Sequence, residues 1–127
     1  MLKAVIFDLD GVLIDSEPLM RFAFAAAYQR VFGDAPPPIE AYLEHMGESF
    51  PRIMDQLGLP HSLWEPYREL CQRHVDRIKL FDGARTVLQW ALDHGLKLAL
   101  LTGKDRARTL QILDYFELDR YFHAVVT

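Results

Sequence analysis

Cysteine is almost missing from this chain: Cys71 is the only one in 127 residues. No internal disulfide can form, and a lone thiol on an apolar helical stripe, with no base beside it in sequence, reads as a core residue in a reducing compartment. Long hydrophobic runs are absent as well. Nothing approaches the ~20 apolar residues that span a bilayer. The N-terminus carries a single Lys3 before a strand-like run, which is not the pattern of a signal peptide. A cytoplasmic location is therefore expected. There is no basic surplus either. Lys and Arg number 14 against 18 Asp and Glu, the net charge is −4 and the pI is about 5.7. That balance excludes a general nucleic-acid surface or an anionic membrane as partner. His45, His61, His74, His94 and His123 show no metal-ligand spacing and are assigned to packing or surface roles. No repeat or low-complexity stretch is evident.

What is present suits a packed core. Half the residues are apolar and a quarter are charged, and the length fits one domain or one domain with a small insert. Ala4-Val5-Ile6-Phe7, within a strand over 3–8, reads as fully buried. A helix should follow from about residue 16, capped by Asp15 or Ser16, with Pro18 tolerated in its first turn and Gly33 at its end. Pro36-Pro37-Pro38 forces an extended linker. Residues 39–46 and 49–57 suggest two shorter helices around Gly47. Residues 62–79 suggest a longer one, with Trp64, Tyr67, Leu70, Cys71, His74, Val75 and Ile78 on a single stripe. Phe22, Phe24, Trp64 and Trp90 are expected in the core.

The pattern changes after the Asp82-Gly83 turn. A helix over 84–94 should face Val87, Leu88, Ala91 and Leu92 inward. A buried strand over 96–101 and a helix over 105–116 follow, the latter with Ala107, Leu110, Leu113 and Phe116 inward. A third strand begins at Phe122. This βαβαβ order implies parallel pairing with right-handed crossovers. The expected fold is α/β, a Rossmann-like parallel sheet of about three strands with an inserted α-helical cap. Residues 1–15 and 80–127 would form the core domain and 16–79 the cap, placed as a lid would be.

The chemistry concentrates in Asp8-Leu9-Asp10-Gly11-Val12-Leu13-Ile14-Asp15-Ser16-Glu17-Pro18. Carboxylates at i and i+2 on an extended backbone share one side. They meet at the carboxyl end of the strand, where open α/β sheets bind ligands. Converging acids carry a desolvation cost that a cation would offset. The pair suits phosphoryl transfer: Asp8 as nucleophile, Asp10 as acid and then base, and Mg²⁺ between them to neutralise charge. The plain alternative for an isolated Asp-x-Asp is a pair of turn carboxylates capping a helix. Thr102-Gly103-Lys104 ends the second long strand and opens a helix. A hydroxyl with backbone N–H groups makes an anion seat there, and Lys104 and Arg106 oppose the helix dipole unless an anion binds. The alternative is a turn capped by Asp105 with both cations solvated. In the insert, Gly47 permits close approach, and Ser49 and Arg52 are candidates to bind substrate. The alternative there is Ser49 as an ordinary N-cap.

Together these residues resemble the haloacid dehalogenase-like hydrolases, in particular the branch with phosphoglycolate phosphatase and β-phosphoglucomutase. The first motif is matched by Asp8-Leu9-Asp10-Gly11 with Asp15-Ser16-Glu17, and the second by Leu101-Thr102-Gly103. The segment 16–79 resembles that family's cap, and Gly47 to Arg52 its substrate-reading loop. The resemblance implies Asp8 as nucleophile, Asp10 as acid/base, and Gly11, Thr102, Gly103, Lys104, Ser49 and Arg52 as substrate or phosphate contacts. It also implies Mg²⁺ held by the Asp8 side chain and the Asp10 backbone carbonyl. The expected partner is a small phosphorylated metabolite. A phosphomutase and a catalytically silent phosphate- or partner-binding domain remain open beside the phosphatase.

Two family motifs, a later lysine and a later acidic pair, are not found in these residues. In the family's strand order the first strand is central, so here Ala4–Phe7 should form a bare apolar edge, open to self-association. The expectation is that the natural protein continues past Thr127 or that a second chain completes the sheet.

Overall fold

The computed structural model describes residues 1–127, which divide into two compact units: Met1–Asp15 with Lys79–Thr127, and Ser16–Ile78. The first unit is α/β. Strand β1 (Ala4–Phe7) leads to a two-residue strand β2 (Ile14–Asp15), and after the second unit the chain returns at β3 (Lys79–Leu80). Helix α5 (Ala84–Asp93), strand β4 (Lys97–Leu101), helix α6 (Arg106–Tyr115) and strand β5 (Ala124–Val126) complete it. The second unit holds four helices, α1 (Glu17–Phe32), α2 (Ile39–Leu43), α3 (Phe50–Leu57) and α4 (Trp64–Arg73). None of the helices is long and apolar enough to cross a membrane.

The main sheet is parallel with strand order β1-β4-β5. Val5 pairs with Leu98 and Phe7 with Leu100, so the carboxyl ends of β1 and β4 lie side by side. Parallel pairing requires crossover connections, and α5 and α6 supply the segments between strands. The core of this unit is Leu9, Leu13, Ile14, Leu88, Ala91, Leu98, Leu100, Ile112, Leu113 and Leu118.

The apolar run of β1 is not buried as its composition suggests. Ile6 is 66% exposed, because it lies on the sheet face it shares with Lys97, Ala99 and Leu101, and that face is left open: Lys97 and Leu101 of the central strand are exposed there too. In β4 the central residues Leu98 and Leu100 are buried, whereas Leu101 is exposed. The inward face of α6 is also displaced. Arg108, Thr109, Ile112 and Leu113 are buried, and Ala107 and Leu110 are exposed. Polar contacts rotate the helix: Arg108 is ion-paired with Asp105, and the Thr109 hydroxyl donates to the Asp105 carbonyl at 2.9 Å. Val87 and Trp90 of α5 are exposed rather than internal, and Trp90, at 55% exposure, stacks on His94 at the helix end.

A second, antiparallel ladder joins β2 to β3, pairing Ile14 with Leu80 and Asp15 with Lys79. This ladder shortens the helix expected over 62–79. Its start is a 3₁₀ turn at His61–Leu63, α4 ends at Arg73, and a second 3₁₀ turn at Val75–Arg77 precedes β3. Strand pairing at Lys79 outweighs the helical periodicity of Val75 and Ile78.

The helical unit packs around aromatic rings. Phe24 stacks on Tyr42 at 4.3 Å between centroids, Tyr42 meets Tyr67 edge-on, and Phe50 lies 5.0 Å from Tyr67 and 5.1 Å from Trp64. Rings from all four helices thus share one cluster, each contact adding on the order of 1 kcal/mol to simple burial. Cys71 is buried in this unit. Phe22 is half-buried, between His74 and the guanidinium of Arg77. Ser16 occupies the N-cap position of α1, but its hydroxyl donates to the Met20 sulfur rather than capping an N–H. Helices α2 and α3 are shorter than the sequence suggests, and Gly58 ends α3 in the left-handed region at φ +67°.

Candidate active site

The turn after β1 is fixed by main-chain bonds. Three successive N–H groups, of Val12, Leu13 and Ile14, donate to the Leu9 carbonyl at 3.2, 3.0 and 3.2 Å. The Gly11 N–H donates to the Ile14 carbonyl at 2.9 Å. Closing so tight a loop puts Gly11 at φ +78°, a region that residues with a Cβ avoid. Leu9, fully buried, anchors the turn in the core. Asp8 is exposed, and its Oδ1 accepts the Leu9 N–H at 2.7 Å. Asp10 differs: its side chain is 6% exposed.

The turn after β4 is fixed by side chains instead. The Thr102 N–H donates to the Val126 carbonyl, which carries the sheet one residue past β4. The buried Thr102 Oγ1 accepts the Lys104 N–H at 3.2 Å. Asp105 then caps α6, its Oδ2 accepting the Arg108 N–H at 3.1 Å while Oδ1 pairs with the Arg108 guanidinium. Burial pushes the Asp105 carboxyl upward. The charge and hydrogen bonds of Arg108, with Lys104 assisting, outweigh that and leave it below the usual carboxylate range.

A buried contact joins the two turns. Lys104 Nζ lies 3.3 Å from Asp10 Oδ1, and the Lys104 side chain is only 7% exposed. The sequence alone suggests either a solvated cation or an anion-binding one at this position. The structure shows a buried ion pair with a residue from the other strand end. Removing both charges from water is costly, so such a pair is retained where its geometry is supported on both sides. Nothing local in the sequence marks this pairing, since the partners lie on separate elements. Arg106, by contrast, is exposed and reaches the Val125 carbonyl only at 3.5 Å.

Asp8, Asp10, Gly11, Thr102, Gly103 and Lys104 therefore all belong to the adjacent ends of β1 and β4. Ser49 and Arg52 belong to the helical unit. Ser49 is exposed at the N-cap of α3 without a side-chain capping bond. Arg52 donates to Glu48 at 3.1 Å, and Glu48 also binds His45 Nδ1 at 2.6 Å. An open depression of about 460 Å³ on α5, lined by Arg85, Thr86, Gln89, Trp90, Asp93 and Tyr121, contains none of these residues.

The donor set at the strand ends consists of hard carboxylate oxygens, with no cluster of three His, Cys, Asp or Glu. Mg²⁺ commonly takes one or two carboxylates and completes its shell with water and substrate phosphate. Two acids at one strand end fit that mode of binding, and Asp8, the more exposed of them, is the more accessible ligand.

Known proteins resemble this chain along nearly its whole length. The chain is 32% identical over 136 residues to a phosphorylated carbohydrates phosphatase from Thermotoga maritima, covering 98% of this chain and 61% of that protein. It is 26% identical over 137 residues to a phosphoglycolate phosphatase from Pseudomonas fluorescens, covering 98% of this chain and 50% of the relative. The chain thus spans between half and about three fifths of the length of these curated relatives. A hydrolase structure from Pseudomonas syringae superposes with a TM-score of 0.85 at 22% identity, over 99% of this chain and 61% of that one, which shows a shared fold. A family model for haloacid dehalogenase-like hydrolases matches residues 2–127, and the chain belongs to that family.

Proposed function

We propose that this chain carries the nucleophile and the acid/base of a phosphatase site that hydrolyses a small phosphomonoester through a phosphorylated aspartate. What supports the reading is the parallel pairing of β1 with β4, which sets the segment bearing Asp8 and Asp10 beside the one bearing Thr102, together with the Lys104–Asp10 contact between those segments. The names of the relatives, a phosphorylated carbohydrates phosphatase and a phosphoglycolate phosphatase, point to small phosphorylated metabolites as the substrate class.

In this reading a carboxylate oxygen of Asp8 attacks phosphorus, and the bond from phosphorus to the organic oxygen breaks. Asp10 gives a proton to that departing oxygen, releasing the alcohol. Asp10 then takes a proton from water as the water oxygen attacks the phosphoryl group. The bond from phosphorus to the Asp8 carboxylate breaks, inorganic phosphate leaves and Asp8 is regenerated. The Thr102 hydroxyl accepts the Lys104 N–H, which leaves its own hydrogen to donate to a phosphoryl oxygen. The Gly103 N–H, beside it in the turn, is the second candidate donor. Mg²⁺, held by the Asp8 side chain and the Asp10 main-chain carbonyl, would neutralise charge on the phosphate. Ser49 and Arg52 are the candidates in the helical unit for recognising the organic group.

The test is to incubate the protein and Mg²⁺ with p-nitrophenyl phosphate and a panel of sugar and carboxylate phosphomonoesters. Quenched samples are then mapped for a phosphorylated peptide. Release of inorganic phosphate together with a label on the peptide bearing Asp8 is expected. A label on any other residue, or isomerised sugar phosphate without free phosphate, overturns the proposal.

A further inference from the structure

We propose that Lys104 is the positioning residue of Asp10. Its ammonium, 3.3 Å from Asp10 Oδ1, fixes the orientation in which that carboxyl group exchanges a proton with the substrate and with water. The inference rests on the phosphatase reading above and adds a role that the nucleophile and phosphate seat do not supply.

Lys104 is itself immobilised before it reaches Asp10. Its N–H is bonded to Thr102 Oγ1 at 3.2 Å, and the Thr102 N–H is bonded to Val126, so the residue sits on an extension of the sheet. The next residue, Asp105, is tied by its carboxyl group to Arg108 in the first turn of α6. The lysine backbone is thus fixed on both sides. Its side chain runs through a buried path, 7% exposed, to Asp10 Oδ1 at 3.3 Å. A lysine serving only solubility or the protein surface would extend into water, since burying its stem and head forfeits rotamer freedom and hydration.

The carboxylate on the receiving side needs such a hold. Asp10 follows a strand only four residues long, on an edge of the sheet, and lies in a tight turn whose main-chain bonds converge on the Leu9 carbonyl. An acid that must donate to one oxygen and then accept from another requires a fixed orientation, and a misplacement of about 1 Å costs on the order of 10²-fold in rate. Lys104 bridges the two turns and provides that orientation from the better-braced one.

The test uses Lys104→Met, Lys104→Arg, Asp10→Asn and the double variant Asp10→Asn with Lys104→Met. For Lys104→Met, kcat is expected to fall on the order of 10²-fold while KM stays within about threefold of the parent. Lys104→Arg, which keeps the cation, is expected to recover part of kcat. A rise in KM with kcat unchanged would assign Lys104 to substrate binding and overturn the proposal. Thermal melts give a readout that does not depend on turnover. Each single variant should melt roughly 5 °C or more below the parent, and the double variant clearly above the sum of the two losses. Strictly additive losses would remove the coupling and the proposal with it. If the parent protein releases no phosphate from any ester, the phosphatase reading fails, while the melting cycle still decides whether the lysine holds the acid.

Discussion

The two strand ends that meet at this site are built on opposite plans. After β1 the backbone does most of the work: Leu9 gathers three N–H groups and Gly11 takes a left-handed conformation, while Asp8 stays exposed and Asp10 is buried against Lys104. After β4 the side chains do the work. Thr102 binds the Lys104 N–H, Asp105 caps the helix, and Arg108 and Thr109 bind Asp105 in return. The first plan ties Asp8 to the turn by one oxygen only, that of the Leu9 N–H bond, and keeps its carboxyl group exposed. The second consumes its polar groups in fixing a hydroxyl and an ammonium. A site that forms and breaks a bond to one side chain benefits from this division, because the reacting group stays accessible and its surroundings are already oriented.

Each prediction probes one side of that contrast. Asp8→Asn leaves the turn intact and removes the reacting oxygen. Turnover should drop on the order of 10⁴-fold or more, with the melting temperature nearly unchanged. Persistent activity in a steady-state phosphate-release assay would transfer the chemistry elsewhere. Next in size is Thr102→Val, which keeps the shape but deletes the hydroxyl. A fall in kcat/KM on the order of 10²-fold is expected, corresponding to roughly 3 kcal/mol of transition-state stabilisation. Equal constants for parent and variant would reduce Thr102 to a turn residue.

Gly11→Ala addresses the backbone plan. An added Cβ would meet nothing within 4 Å, so only conformational strain is in play. A loss of about 1–2 kcal/mol in urea unfolding is expected. An unchanged midpoint would mean the turn does not need its positive φ. The smallest effect belongs to Asp105→Asn, which retains a capping oxygen and removes the charge. Because the folded-state carboxyl of Asp105 lies below its unfolded value, its charge stabilises the fold above the unfolded value of ~3.9. That contribution is lost as pH falls through the lower folded value. Parent and variant should therefore differ in melting temperature at neutral pH, and the gap should begin to narrow near about pH 4 and close only below the folded value. A gap that is constant with pH would rule out the charge as its source.

The order of strands and helices was readable because hydrophobic runs and breakers alternate clearly: the strand before Asp8, the helix ended by Gly33 and the strand before Thr102 all show it. Burial was less readable. Whether Ile6 is covered depends on what packs against its face of the sheet, and no property of Ala4–Phe7 reveals that this face, shared with Leu101, is left open. The face of α6 was misjudged because Arg108 and Thr109 turn inward to satisfy Asp105, and apolar spacing carries no information about a polar bond. The β2–β3 ladder has two rungs, too few for any periodicity. At the site, Asp8, Asp10 and Thr102 stood out from local context, since each closes an apolar strand. The Lys104–Asp10 pair did not, because its only signature is the pairing of β1 with β4.

That short ladder has an architectural consequence. Asp15 leads out to residue 16 and Lys79 brings the chain back from residue 78, and the two are paired across an antiparallel ladder. In topological terms the whole helical unit is the loop of a β-hairpin. Its two attachment points stay about 5 Å apart whatever lies between them, and closing a longer loop costs only slightly more entropy. The ladder therefore acts as a socket: segments of very different size or sequence can be exchanged there while the hydrogen-bonded frame around Asp8 keeps its register.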